Sequence, residues 1–187
     1  MKKIDLLKKF NQVRKKTISI CNPLEIEDYV VQPNQEVSPI KWHLGHSSWF
    51  FEEIIILKFR KNKNRFNETY NTIFNSYYKS LGNHWKQSQR GQLSRPTVKE
   101  IIKNRKYINE EINKIFSSNK NNKELNFLLE LGINHEEQHQ ELMFMDIKYI
   151  LNINLNKIKY AKTNIPKIKS KIKKWKTFNE GLYEIGS

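Results

Sequence analysis

Cysteine, alanine and long apolar runs are nearly missing from this sequence. Cys21 is the single cysteine in 187 residues, which excludes an internal disulfide and favours a reducing compartment. No apolar run approaches the roughly 20 residues of a transmembrane helix. The start of the chain is basic, but Asp5, Lys8 and Lys9 interrupt the apolar stretch that a signal peptide requires. The sequence therefore predicts a cytoplasmic protein that does not enter a membrane.

Acidic residues are also scarce, with 19 acids against 34 lysines and arginines, so the formal net charge is +15. Such a charge is typical of nucleic-acid binding. However, 28 of the bases are lysine and only 6 are arginine, beside 22 asparagines and a single alanine. AT-rich codons favour this combination, whereas specific readers of DNA depend on arginine. Because no helix-turn-helix or zinc-finger pattern is present either, we expect no specific nucleic-acid partner.

Helical apolar spacing predicts an all-α fold, a four-helix bundle over residues 1–155. Ser38-Pro39 is typical of a helix start, with the serine as N-cap. Thr97-Val-Lys-Glu100 has the pattern of a capping box. A short helix and a long ordered loop are expected between residues 68 and 96. The four long helices are predicted at about residues 2–19, 38–59, 97–116 and 123–152.

The segment after the bundle has a different composition. Residues 157–176 hold nine lysines and no acid, and Pro166 interrupts them, so we interpret residues 156–177 as a basic linker. This stretch carries +9 of the net charge of +15, which leaves the bundle only moderately basic. Apolar residues alternate with other residues near the end of the segment 178–187, and this pattern predicts one strand there.

Three histidines form the most informative pattern. His135 and His139 are four residues apart on the last predicted helix, so both side chains leave one face and can chelate one metal ion. Their polar surroundings lie between apolar flanks, which favours a bundle interior, with a solvated helix face as the alternative for the pair alone. His46, on the second helix and next to Gly45, can supply a third ligand. His43 is either a supporting donor behind the metal or an ordinary histidine.

His135-Glu136-Glu137-Gln138-His139 also fits the H-E-x-x-H helix of zinc proteases, with Glu136 as the general base. The extended form of this motif, which supplies a third zinc ligand, is absent. Leu142 and Met145 stand where it has glycine and histidine. A third ligand has to come from upstream, which suits a bundle rather than a protease.

Four ordered segments resemble one known family, the DinB-like domain of the sulfoxide synthases of ergothioneine biosynthesis. The likeness spans about residues 5–155. The first segment reads Ser-Pro-Ile-Lys-Trp-His-Leu-Gly-His-Ser-Ser-Trp-Phe-Phe-Glu and the last contains the two spaced histidines. The four segments are residues 38–52, 74–78, 90–97 and 132–142, the last followed by Asp146-Ile-Lys148.

This resemblance implies an iron(II) site with His46, His135 and His139 as ligands. Ligand types alone leave the metal open, since three histidines also suit zinc. Family enzymes use oxygen to join a thiol, cysteine or gamma-glutamylcysteine, to the imidazole of hercynine as a sulfoxide. Arg90 and Arg95 lie in the matched loop and are candidates to hold substrate carboxylates, because an arginine fork binds both oxygens. A structural role in the loop is the alternative for both.

Family enzymes continue into a second domain that resembles the formylglycine-generating fold and completes the hercynine pocket. Residues 178–187 look like its first strand. We therefore expect the chain to be the iron- and thiol-binding half of such an enzyme, with little activity alone. A fragment, a truncated gene and one half of a split enzyme are the three options, and the last would have a separate C-terminal catalytic half as its partner. A DinB-like thiol transferase that uses zinc or nickel, and a non-catalytic remnant module, are the two alternatives.

Overall fold

Four long helices dominate the computed structural model, which describes residues 3–62, 64–76, 78–119, 122–161 and 175–185. The predicted all-α bundle is confirmed. A π-helical turn, Glu52–Ile56, continues the second helix, and short 3-10 turns lie at Ile26–Tyr29, Lys79–Leu81 and Gln87–Gln92. The α-helices are α1 (Lys3–Cys21), α2 (Ile40–Phe51), α3 (Leu57–Phe59), α4 (Thr69–Phe74), α5 (Val98–Ser118) and α6 (Lys123–Asn152).

The four long helices form a closed ring of neighbours. Helix α1 packs against α6, α6 against α2, α2 against α5 and α5 against α1. This order places α2 diagonally opposite α1. Every residue of α2 is buried, because other elements cover it on all sides. The core divides into two apolar clusters, one around Trp49 and Phe74 and the other around Phe10 and Phe51.

The two helix starts predicted from capping patterns have different outcomes. Thr97 caps α5 as expected, since its hydroxyl accepts the Glu100 backbone N–H and the Glu100 carboxylate accepts the Thr97 N–H. The Ser38 prediction is wrong. Pro39 is the N-cap of α2 and has extended backbone angles, so the helix begins at Ile40 without a side-chain cap. The Ser38 hydroxyl instead accepts a hydrogen bond from Arg90.

Two glycines permit close packing next to the predicted metal-binding residues. A β-carbon at Gly45 of α2 would overlap the ring of Phe74, and one at Gly132 of α6 would overlap the ring of Phe51. Both rings are almost completely buried. The absence of a side chain at these two positions therefore sets how near α4 and α6 approach α2.

The C-terminal segment does not form the predicted strand. Residues 175–185 have no regular secondary structure, and the side chain of Leu182 is fully exposed. A strand needs a neighbouring strand for its hydrogen bonds, and no other strand occurs in the described ranges. Most of the predicted linker, residues 162–174, lies outside the described residues, as do residues 186 and 187. Among the described helices, none has both the length and the apolar character needed to span a bilayer.

Candidate metal centre

The three predicted ligands meet inside the bundle. His46 comes from the middle of α2, and His135 and His139 come from successive turns of α6. One ring nitrogen from each lies within 4.8 Å of the other two. His46 is 1% exposed and His139 is 9% exposed. Two helices that are distant in sequence thus bring three imidazoles to one point.

His46 presents a free lone pair to this point. Its Nδ1–H donates to the Phe74 carbonyl oxygen at 2.6 Å, which leaves Nε2 of the neutral ring without a proton. That Nε2 is 3.1 Å from Nε2 of His135. Two nitrogens bound to one metal at about 2.0–2.1 Å lie roughly 3 Å apart, so the spacing fits a shared ion.

Aromatic rings hold two of the histidines in place. The Trp42 ring stacks on His46 with centroids 4.6 Å apart, and Phe50 stacks on His135 at 3.9 Å. Rotation of either imidazole would break its stacking contact with the neighbouring ring. The sequence favours core packing for Trp42 and Phe50 over a place in the site, and it carries no signal for these contacts with histidine.

All three imidazoles are held in the neutral form that binds metals. Burial lowers the pKa of His135 to about 4 and lowers the pKa of His46 well below its ordinary value, where the neighbouring His135 adds to the effect. Burial, followed by the nearby His46, also lowers the pKa of His139. The donors are thus nitrogen lone pairs, which suit iron, zinc, nickel and copper.

A further pair of residues lies behind His139. Nδ1 of His43 is 2.9 Å from Nδ1 of His139, and Nε2 of His43 is 2.8 Å from the Asp146 carboxylate. Asp146 also accepts the backbone N–H of Ser38 at 3.0 Å. The sequence alone leaves the role of His43 open and predicts no role for Asp146 in the site. A signal was present, because Asp146 follows His139 by two helical turns on the same face.

The histidines line a cavity of about 330 Å³. Its wall contains both polar and apolar side chains. This volume accommodates a molecule of amino-acid or dipeptide size beside a metal ion. The wall is formed by Glu36, Ser38, Trp42, His43, His46, Ser76, Tyr78, Gln87, Arg90, His135, Gln138, His139, Leu142, Met145 and Asp146.

The two predicted substrate arginines have different locations. Arg90 is 5% exposed and lines the cavity, where it donates to the Ser38 hydroxyl at 2.9 Å and lies 3.3 Å from the Trp42 ring centroid. Arg95 lines a separate small cavity with Lys41 and donates to the Ser94 carbonyl. Only Arg90 is brought to the histidines. The substrate role of both residues stays a prediction.

Glu136 does not reach the cavity. Its carboxylate is fully buried on another face of α6, where it accepts hydrogen bonds from Arg14 at 2.9 Å, Arg105 at 2.7 Å and Thr17 at 2.6 Å. Burial alone would raise the pKa of Glu136, but the two guanidinium groups lower it to about 2. A carboxylate with three donors and so low a pKa is not a general base, which argues against the zinc-protease interpretation.

Comparison with known proteins assigns neither a family nor a function to the chain. No model of a known protein family matches the chain. A search of curated protein sequences also finds no significant match.

Proposed function

We propose that this chain binds iron(II) through His46, His135 and His139 and is the iron- and thiol-binding half of an oxygen-dependent sulfoxide synthase of the ergothioneine type. The observation that carries the proposal is the convergence of these three histidines on one cavity. They are the same residues that the motif resemblance marks as iron ligands. The cavity also holds the one arginine of the matched loop that is buried beside them.

Different residues of the cavity would bind the metal and the substrate. The three imidazoles would hold the metal, and bound iron supplies the oxygen-dependent oxidation that joins thiol to imidazole. Arg90 would orient the substrate by binding a carboxylate of cysteine or gamma-glutamylcysteine, because its guanidinium offers paired donors. The packed rings of Trp42 and Phe50 would restrict water on one side of the site.

Iron binding by the purified chain is the direct test. The chain is prepared without oxygen, loaded with iron(II) and desalted, and iron per chain is measured for wild type, His135→Ala and the exposed His84→Ala. We expect about one iron per chain for wild type and His84→Ala, and at least a tenfold lower occupancy for His135→Ala. Equal iron in wild type and His135→Ala would refute the assignment.

The donor set also supports a second candidate, a DinB-like thiol transferase that uses zinc or nickel. Common non-haem iron sites include a carboxylate, whereas the cluster found among the described residues has three histidines and no acid. Competition between iron(II), zinc and nickel for the site, followed by an assay for thiol conjugation with each metal, separates the two candidates. Conjugation without oxygen consumption would favour the transferase.

Hercynine and a second domain are the proposed partners of the iron site. In the family that the motifs resemble, that domain completes the hercynine pocket, so we propose that the bundle alone gives no sulfoxide from cysteine, hercynine and oxygen. Turnover by the bundle alone would contradict this, and a chain without turnover or metal would be the non-catalytic module. We place the protein in the reducing cytoplasm, which suits the free and buried Cys21 thiol.

A further inference from the structure

A chain of two hydrogen bonds leads from a carboxylate to a proposed metal ligand. Asp146 lies 2.8 Å from Nε2 of His43, and Nδ1 of His43 lies 2.9 Å from Nδ1 of His139. His43 is 3% exposed, and the Asp146 side chain is 16% exposed. The three groups come from α2 and α6, so the contact also ties the two helices that supply all three ligands.

The direction of each hydrogen bond follows from the groups involved. Asp146 is a carboxylate and can only accept, so Nε2 of His43 carries the proton. The neutral His43 ring has a single proton, which Nε2 holds. Nδ1 of His43 is therefore an acceptor. The partner nitrogen, Nδ1 of His139, has to donate, which leaves Nε2 of His139 with its lone pair.

We propose that His43, held by Asp146, is a positioning residue that fixes His139 as the Nδ1–H tautomer and so directs its Nε2 lone pair to the metal. This inference rests on the proposed metal site. The same arrangement occurs at His46, where the Phe74 carbonyl takes the place of His43 as the acceptor behind Nδ1. Metal-binding histidines commonly have such an acceptor behind the ligand, and its loss costs about 10- to 100-fold in metal affinity.

His135 differs from the other two ligands in this respect. Its buried Nδ1 has no hydrogen-bond partner among the described residues. Its orientation comes from stacking on Phe50 instead. The affinity of the site therefore depends on the acceptors behind His46 and His139, of which only His43 is a side chain that substitution can remove.

Cobalt(II) binding tests the role of His43 with two opposed variants. His43→Leu fills the buried position but removes the acceptor. His43→Asn places an amide oxygen near the position of Nδ1 and restores it, while leaving part of the volume empty. Cobalt is titrated into metal-free protein and followed by visible absorption and by calorimetry, with His84→Leu as the exposed control. Thermal unfolding of each metal-free variant records its fold stability separately.

We expect His43→Leu to bind cobalt about 10- to 100-fold more weakly than wild type, and His43→Asn to recover most of the loss. A role in packing alone predicts the reverse, since leucine fills the site better than asparagine. Unchanged affinity in His43→Leu, with tight binding by wild type, would overturn the inference and leave the proposed function in place. Failure of wild type to bind any metal would overturn the proposed function.

The tautomer itself can be read without metal. Nitrogen-15 NMR of the histidine rings in the metal-free chain distinguishes protonation at Nδ1 from protonation at Nε2. We expect His139 to carry its proton at Nδ1 and His43 at Nε2, and we expect His139 to lose this preference in Asp146→Leu. A His139 proton at Nε2 in wild type would overturn the inference even if the site binds cobalt.

Discussion

At the scale of single residues, Glu136 is the centre of a buried ion cluster. Arg14 is 2% exposed and Arg105 is 3% exposed, and both donate to the fully buried Glu136 carboxylate. The Arg14 guanidinium also contacts Ser48 and Asn109. Side chains from α1, α2, α5 and α6 thus share one polar network at the centre of the bundle.

We predict that Glu136→Gln lowers the free energy of unfolding by about 3–5 kcal/mol, because two buried cations lose their common counter-charge. Glu137→Gln is the matched control, since this neighbour is half-exposed and pairs only with Lys9 in the described part of the chain. We expect Glu137→Gln to change the free energy of unfolding by no more than about 0.5 kcal/mol. Urea denaturation measures the free energy of unfolding of both variants. Similar losses for the two variants would contradict a stabilising role of the buried cluster.

The role of Glu136 could not be derived from the sequence. The H-E-x-x-H spacing shows that the two histidines share a face, but the glutamate between them points elsewhere, and its partners Arg14 and Arg105 are remote in sequence. The ligand set could be found because i and i+4 spacing is local. His46 could be added because it lies on a predicted helix next to Gly45.

At the scale of elements, the contact between α2 and α6 controls the geometry of the metal centre. Gly132 lies three residues before His135, and it packs on the ring of Phe51, five residues after His46. Helix boundaries were predictable because apolar periodicity and the Thr97 cap are local signals. The start of α2 could not be predicted from local signals, because the Ser38 hydroxyl accepts a hydrogen bond from Arg90, which is distant in sequence.

We predict that Gly132→Ala destabilises the fold by about 1–3 kcal/mol, although alanine is the better helix former. The added methyl group would overlap the buried Phe51 ring and push α6 away from α2. Cobalt affinity should fall together with stability, because His135 and His139 move with α6. Glu130→Ala, at an exposed position of the same helix, should change neither quantity in thermal unfolding or cobalt titration.

At the scale of the whole molecule, the buried histidines make the metal-free fold sensitive to acid. Burial lowers the pKa of His43, His46, His135 and His139 in the folded chain, to about 4 for His135. Unfolded histidine titrates near pH 6.5. Between these values the unfolded chain binds more protons than the folded chain, so stability falls as the pH falls.

We therefore predict that the free energy of unfolding of the metal-free chain decreases steadily from about pH 6.5 towards pH 4. The lowered pKa of Glu136, about 2, extends the loss below pH 4.5 in the same direction. Urea denaturation at several pH values measures the slope. His135→Gln should have a shallower slope than wild type, and the exposed His84→Gln should keep the wild-type slope. A pH-independent stability between pH 6.5 and pH 4 would contradict the burial of neutral imidazoles.

The stacking of Trp42 on a proposed metal ligand has an optical consequence. The indole ring contacts both His46, at 4.6 Å between centroids, and the Arg90 guanidinium, at 3.3 Å. Trp49 stacks on His46 as well, at 5.5 Å. Intrinsic fluorescence of the protein is therefore coupled to the centre of the site. A paramagnetic ion bound there should quench this emission, whereas zinc should leave most of it, so the unlabelled chain reports which kind of ion it holds.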